Sequence, residues 1–374
     1  MKVDIPISKS HYARIAMICS IAGIDIPYSD ENDDIIAIRE ALTTDGKNVW
    51  VRSSGTAARF AIAYYATMDC EVVIDGNEQI RERPISSITE AVRAIGAEVS
   101  GSSLPVKIKG TAKPKNFVDV DASQSSQTIS ALMLAGMRHG ITIKTTGERN
   151  SWSYVEMTAE VMRKSGVKVE IGDEKIVVEK IDSVSVENVA IEKDWSSAVF
   201  WYGWCATRRK KIKIVGLKRG TCQPDEAAIG IFGKLGVLSE ETDHEMRLCM
   251  KKNFVTDESH EVDCRRTPDL AMVLVPTLCK LKKKFKVTGL DTLEKKESRR
   301  GSNLCCELRK AGYDVQWDGK SLTWEGIMTK SYGKPDGYSD HRMVMALMIL
   351  GVDEIDLQPL EKSYPGLIQL KIDN

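Results

Sequence analysis

Hydrophobic and polar positions change rhythm along this chain in a recurring way. A stretch with apolar residues three and four apart, the spacing of a helix with one buried face, ends on basic or small residues and a glycine. Two short stretches with apolar residues in alternation follow, the spacing of strands. The phrase occurs four times: EAVRAIGAEVSGSSLPVKIKG with Gly96, AEVMRKSGVKVEIGDEKIVVEK with Gly166, IGIFGKLGVLSEETDHEMRLCM with Gly236 and CELRKAGYDVQWDGKSLTWEG with Gly312. These glycines lie 70, 70 and 76 residues apart. Glycine directly after a helix suits a left-handed C-cap, a conformation that is costly for other residues. Within the copies, Val167–Val169 and Ile176–Val178 read as strands, and Gly172-Asp173 and Asp318-Gly319 as hairpin turns.

Two further copies are partial. Asp34–Leu42 reads as a helix that passes through Thr44-Asp45-Gly46 into one strand, Asn48–Arg52. Near the other end, Arg342–Leu350 reads as a helix followed by a strand, Glu354–Leu357. A repeat this long, with helix and hairpin in each copy, means stacked supersecondary units that bury a sheet under helices. Six units predict an α/β (α+β) fold of two similar domains with three units each, the first unit shortened. The predicted domains are residues 9–192, and residues 1–8 together with 193–374. The join falls near Ile191–Asp194, and the short strand Val3–Ile7 returns to the second domain.

Composition narrows the function. The 374 residues carry 53 Lys+Arg and 53 Asp+Glu, so the chain lacks the basic excess of a general nucleic-acid binder. The longest apolar runs, Ala271–Leu278 and Val344–Val352, fall short of a membrane span. The opening MKVDIPISKS has no apolar core of a signal peptide. Nine cysteines without a CxxC pair read as reduced thiols of a cytoplasmic protein. HExxH, GxSxG, DxDxDG, zinc spacings and a strand-linked GxGxxG are all missing, so a metal, NAD or nucleophilic-serine mechanism lacks support.

Anion recognition must therefore come from local clusters. Ser8-Lys9-Ser10 with Arg14, Ser53-Ser54-Gly55 with Arg59, and Ser125-Ser126-Gln127 each open an apolar helix. Free N–H groups and the dipole at a helix start attract anions, although ordinary N-capping explains each serine singly. Arg81-Glu82-Arg83-Pro84 reads as a polar turn with Pro84 at a first helical position. Asp269, in Thr267-Pro268-Asp269, stands at the edge of an apolar run and reads either as a helix-start acid or as a partly desolvated base. Glu297 sits among Lys295, Lys296, Arg299 and Arg300, and Asp340-His341-Arg342 opens an apolar helix. Clustered cations of this kind repel one another until an anion is bound.

In chain order, SKSxxxR from Ser8, SGTxxR from Ser54, ERP from Glu82, SSQ from Ser125, SxxY from Ser151, PD from Pro268, KESxR from Lys296, DHRM from Asp340 and KxxP from Lys362 together resemble the enolpyruvyl transferases of the shikimate type. The resemblance runs nearly end to end. It implies two domains of three βαβαββ-type units with the ligand cleft between them. It also implies transfer of the enolpyruvyl group of phosphoenolpyruvate to the 5-hydroxyl of shikimate-3-phosphate, with release of phosphate, in chorismate and aromatic amino-acid biosynthesis. The implied protein is a cofactor-free monomer acting on these two small molecules, with no nucleic-acid or membrane partner.

By the same resemblance, Lys9, Asp269 and Glu297 are catalytic, Asp269 as acceptor of the 5-hydroxyl proton and Glu297 beside the enolpyruvyl carbon. Lys9, Ser10, Arg14, Ser125, Ser126, Gln127, Ser151, Tyr154, Asp269 and Lys296 hold shikimate-3-phosphate. Lys9, Gly55, Arg83, Gln127, Arg300, Arg342 and Lys362 hold phosphoenolpyruvate. The chain departs from the family pattern at Ser53, Phe60, Thr292 and Arg299, and in the shortened first unit. Two alternatives follow: a transferase acting on UDP-N-acetylglucosamine, or a relative that binds phosphorylated ligands without turnover. Retained Lys9, Asp269 and Glu297 speak against the latter, since binding alone needs no proton-transfer carboxylates.

Overall fold

A computed structural model describes residues 1–369 apart from 30, 182, 186–189 and 256. The chain forms two compact units, Lys9–Ile191 and Met1–Ser8 with Glu192–Asn374. The opening strand β1 (Lys2–Val3) belongs to the latter.

The Lys9–Ile191 unit begins with helices α1 (Lys9–Ala22) and α2 (Asp33–Thr43). A first repeat follows: β2 (Asn48–Trp50), α3 (Gly55–Ala66), β3 (Glu71–Asp75), the short α4 (Glu78–Arg81), α5 (Ser86–Ala94), β4 (Glu98–Val99) and β5 (Val106–Lys109). The second is β6 (Phe117–Asp121), α6 (Ser126–Gly136), β7 (Ile141–Thr146), α7 (Ser153–Lys164), β8 (Val169–Ile171) and β9 (Lys175–Val178). The strands order as β2-β3-β5-β4 and β6-β7-β9-β8. In each sheet the first two strands are parallel across a helical crossover, and the last two form an antiparallel hairpin.

The other unit repeats the plan. It holds α8 (Trp195–Arg208), β10 (Ile212–Val215), α9 (Ala228–Gly233), β11 (Val237–Glu241) and β12 (Glu245–Met250). Next come β13 (Ser259–Asp263), α10 (Ala271–Lys280), β14 (Lys284–Thr288), α11 (Arg300–Lys310), β15 (Gln316–Trp317) and β16 (Leu322–Trp324). It closes with α12 (His341–Leu350) and α13 (Gly366–Gln369). Its sheets order as β1-β10-β12-β11 and β13-β14-β16-β15. The parallel β1–β10 pair supplies the edge that α8 and β10 alone lack.

All four repeat glycines take left-handed φ, 111° at Gly96, 87° at Gly166, 88° at Gly236 and 93° at Gly312. Each turns the chain from a helix into a hairpin. Alternation buries one sheet face: Val106 and Ile108 of β5 are buried while Lys107 and Lys109 are exposed. Two expectations need correction. Glu354–Leu357 forms no strand; Ile355 and Leu357 pack on the core without a neighbouring ladder. Pro84 is not a first helical residue, because α5 starts at Ser86 after the cap residue Ile85. The Pro84 carbonyl instead accepts from Arg59 Nη2 at 2.7 Å.

Three helices in each unit are buried nearly all round. In the Lys9–Ile191 unit they are α1, α3 and α6, packed on one another. In the other they are α8, α10 and α12, also mutually packed. Their apolar flanks leave mainly the ends for polar chemistry, and the SKS, SGT, SSQ, PD and DHRM segments lie at the N-terminal ends of α1, α3, α6, α10 and α12. Among the described residues no helix is long and apolar enough to cross a membrane.

Candidate active site

Each unit carries its own cluster. In the Lys9–Ile191 unit, α3 starts at Gly55, capped by Ser54, whose hydroxyl accepts from the Ala57 N–H at 3.4 Å. Arg59 stands one turn on and folds back. It donates from Nη1 to the Gly55 carbonyl and to Gln127 Oε1, both at 3.0 Å. Gln127 Nε2 donates to Thr56 Oγ1 at 3.1 Å, which joins the starts of α3 and α6. A Cβ on Gly55 would lie 2.7 Å from Arg83 Nη1 and 2.9 Å from Arg59 Nη1. Glycine is thus what allows two guanidinium groups to lie against this helix start. Gly55→Ala is expected to displace Arg83 and raise KM for an anionic substrate held at this helix start about tenfold while kcat changes less, as for loss of binding uniform to ground and transition states. Steady-state kinetics check this.

The serines divide. Ser54 is an ordinary cap, whereas Ser125 occupies the cap position of α6 without bonding to its N–H groups. Lys9 opens α1 and pairs with Asp34 of α2 at 2.7 Å. Arg14 is 4% exposed. It donates to Thr158 Oγ1 at 2.8 Å and to the carbonyls of Ser10 and Tyr154 at 2.7 and 2.9 Å, so it fixes the backbone of two other predicted site residues. Ser151 is buried with φ at 53°, and its carbonyl accepts from the Tyr154 N–H at 3.1 Å as α7 begins.

In the second unit, Arg300 lies at the centre of a carboxylate cluster. Nη1 meets Asp269 Oδ1, Nη2 meets Glu297 Oε2 and Nε meets Asp340 Oδ2, each at 2.8 Å. Nη2 also donates to Asp340 Oδ1 at 2.9 Å, a bidentate grip. Lys296 Nζ reaches Asp269 Oδ2 at 3.1 Å, Arg342 Nη1 donates to the Asp269 carbonyl at 3.4 Å, and Lys362 Nζ stands 3.9 Å from Glu297. Burial alone would raise the Asp269 pKa, but Lys296, Arg342 and Arg300 outweigh it and hold the carboxyl well below the usual carboxylate range. Burial likewise opposes the charge of Arg300, yet Asp340, Glu297 and Asp269 push its pKa well up.

The structure gives roles to residues outside the assigned catalytic and binding sets. Asp340 accepts from the Arg342 N–H at 2.9 Å and from Ser298 Oγ at 2.9 Å besides Arg300, so it caps α12 and clamps α11 at once. An aspartate immediately before an apolar helix was the available signal. Asp225, 2% exposed, accepts from Ser196 Oγ at the start of α8, while its Oδ1 has no hydrogen-bond partner among the described residues. Burial pushes its pKa up, with Arg342 opposing. Its signal was a repeat: Gln223-Pro224-Asp225 echoes Thr267-Pro268-Asp269 one unit earlier. Thr292, one of the family departures, has a buried hydroxyl without a partner among the described residues.

Buried cations interleaved with carboxylates at helix starts are an arrangement suited to small, multiply charged anions and to proton transfer. A family model described as EPSP synthase (3-phosphoshikimate 1-carboxyvinyltransferase) matches residues 4–370. The chain belongs to this family of transferases. A Bacteroides fragilis protein named 3-phosphoshikimate 1-carboxyvinyltransferase is 32% identical over 382 residues, spanning 97% of this chain and 92% of the relative. A Caldivirga maquilingensis protein of the same name is 28% identical over 371 residues, spanning 92% and 87%. A solved EPSP synthase from Acinetobacter baumannii shares the fold with a TM-score of 0.69 at 18% identity, covering 99% of this chain and 94% of that one.

Proposed function

We propose that this protein transfers the enolpyruvyl group of phosphoenolpyruvate to the 5-hydroxyl of shikimate-3-phosphate and releases inorganic phosphate. The observation that carries the reading is the Arg300 cluster. A buried carboxylate, Asp269, is held ionised by three cations, each suited to a substrate anion. Lys9, Ser10, Arg14, Ser125, Ser126, Gln127, Ser151, Tyr154, Asp269 and Lys296 are assigned to shikimate-3-phosphate. Arg14 serves through the backbone of Ser10 and Tyr154. Lys9, Gly55, Arg83, Gln127, Arg300, Arg342 and Lys362 are assigned to phosphoenolpyruvate. The free cysteines fit a cytoplasmic protein, and the family resemblance suggests a monomer.

The chemistry is addition followed by elimination. The methylene carbon of phosphoenolpyruvate gains a proton, with Glu297 beside it, and positive charge develops at the neighbouring carbon. The 5-hydroxyl oxygen bonds to that carbon and gives its proton to Asp269. The C–O bond to phosphate then breaks, a methyl proton leaves, and the enol ether remains. Fixed cations stabilise the phosphate charge throughout.

The ligand-free carboxyl of Asp269 is too acidic to be a good base. Anionic substrates that neutralise Lys296, Arg300 and Arg342 raise its pKa toward the working range. The acid limb of the kcat profile is therefore expected at higher pH than that of kcat/KM, since the latter reports the free enzyme. Coincident limbs would remove this mode of activation. The primary test is phosphate release from purified protein given both substrates without added metal. Release requiring both, with an enol-ether product by mass, supports the assignment. Folded protein that binds both without turnover sinks it in favour of a binding-only role.

A further inference from the structure

The segment before Asp340 is strapped along α11. Thr329 N–H donates to the Gly312 carbonyl just past the helix, at 2.8 Å. Tyr332 N–H donates to the Lys310 carbonyl at 2.9 Å, and Lys310 Nζ to the Lys334 carbonyl at 3.2 Å. Glu307 follows one turn earlier on the helix. Its Oε1 accepts from Tyr338 OH at 2.8 Å and from Lys310 Nζ at 2.7 Å, and its Oε2 accepts from the Asp336 N–H at 3.0 Å. The strap ends where Arg300 grips Asp340. Arg300 and Glu307 are seven residues apart, so both project from one face of α11 about 10 Å apart.

Between these two anchors the backbone is strained. Tyr338 and Ser339 have φ of 50° and 49°, the left-handed region that non-glycine residues avoid. Gly337 allows the strap to approach α12, since a Cβ there would lie 3.0 Å from Val344 Cγ2. Glu307 itself is 1% exposed, a buried carboxylate whose bonds to the strap go to the residues flanking Gly337. A buried charge spent on an otherwise exposed segment, next to two left-handed residues and the Arg300 clamp, has a directional purpose. We propose that Glu307 is a positioning residue for the Arg300–Asp269 centre: by holding Asp336 and Tyr338 it maintains the left-handed turn that sets the place of Asp340. Its effect on catalysis rests on the reaction proposed above, whereas its effect on the strap does not.

The test compares Tyr338→Phe, Glu307→Gln and the double variant Glu307→Gln/Ser339→Gly in the full chain. Tyr338→Phe and Glu307→Gln are expected to lose about tenfold in kcat, as misplaced catalytic groups do, with KM for shikimate-3-phosphate and Tm nearly unchanged. Backbone amides of 337–342 are expected to exchange about tenfold faster, with the core of α10 unaffected. Glycine adopts the required φ freely, so Ser339→Gly should restore most of the lost kcat in the Glu307→Gln background. Wild-type kcat and exchange in both single variants would overturn the proposal. So would activity lost together with Tm and not recovered by Ser339→Gly, the pattern of a purely structural residue. If the wild-type protein releases no phosphate, the functional assignment fails, and local exchange alone still decides whether Glu307 holds the strap.

Discussion

Asp269→Asn is expected to lower kcat by about 10²–10⁴-fold, the range for loss of a positioned general base. Asparagine keeps the shape and can still accept from Arg300 or Lys296, so the fold survives. It cannot take the 5-hydroxyl proton. The wild-type carboxylate also competes with incoming anions for Lys296, Arg300 and Arg342, so phosphoenolpyruvate should bind the variant at least as tightly. Calorimetric binding beside single-turnover kinetics separates the two effects. A kcat within tenfold of wild type would take Asp269 out of the reaction. The pH dependence of stability carries a sign. The folded pKa of Asp269 is depressed, so its contribution is fully present above the ordinary carboxylate value of about 4 and is lost as pH falls through the folded value. The variant should melt below wild type by a constant margin from pH 5 to 8, and the margin should narrow only in strong acid.

Arg300→Met is expected to be the most destabilising single change in the site. The guanidinium is 2% exposed and faces Asp269, Glu297 and Asp340. Methionine fills part of the volume but leaves these carboxylates without their shared counter-charge. Removing one partner of a buried ion pair costs about 3–5 kcal/mol, which lowers Tm by about 10 °C in a unit of this size. The carboxylates would then bind protons more readily, so the Tm deficit should shrink as pH falls toward 5. Arg300→Lys should recover only part of both stability and activity, because an ammonium cannot make the bidentate grip on Asp340. A Tm within about 2 °C of wild type for Arg300→Met would show that the cluster is not held together by this residue.

Much of the site was written in short motifs because helix starts carry their own chemistry. Asp340 is legible as a helix start from its place before an apolar run. The roles of Arg14 and Asp225 were not legible. Arg14 looks like an anion ligand at a helix start, and nothing in the sequence signals that it also bonds Thr158, Ser10 and Tyr154, since Thr158 is 144 residues away. The expected strand Glu354–Leu357 failed for a related reason. Alternation predicts which residues are buried, but a strand also needs a neighbour to pair with, and among the described residues Glu354–Leu357 has none.

The sequence by itself determined the repeat. Helix and strand periods are local, and a left-handed turn favours glycine wherever it falls, so Gly96, Gly166, Gly236 and Gly312 mark four hairpins without reference to anything distant. It also determined which residue types stand at the starts of the buried helices. Only the tertiary structure decided which charges meet. Asp269, Glu297, Arg300 and Asp340 are spread over 72 residues of chain, and they converge because α10, α11 and α12 pack together with their polar starts at a common end. Ion pairing depends on distance in space and on the loss of water around the pair, and neither is a property of neighbours in sequence.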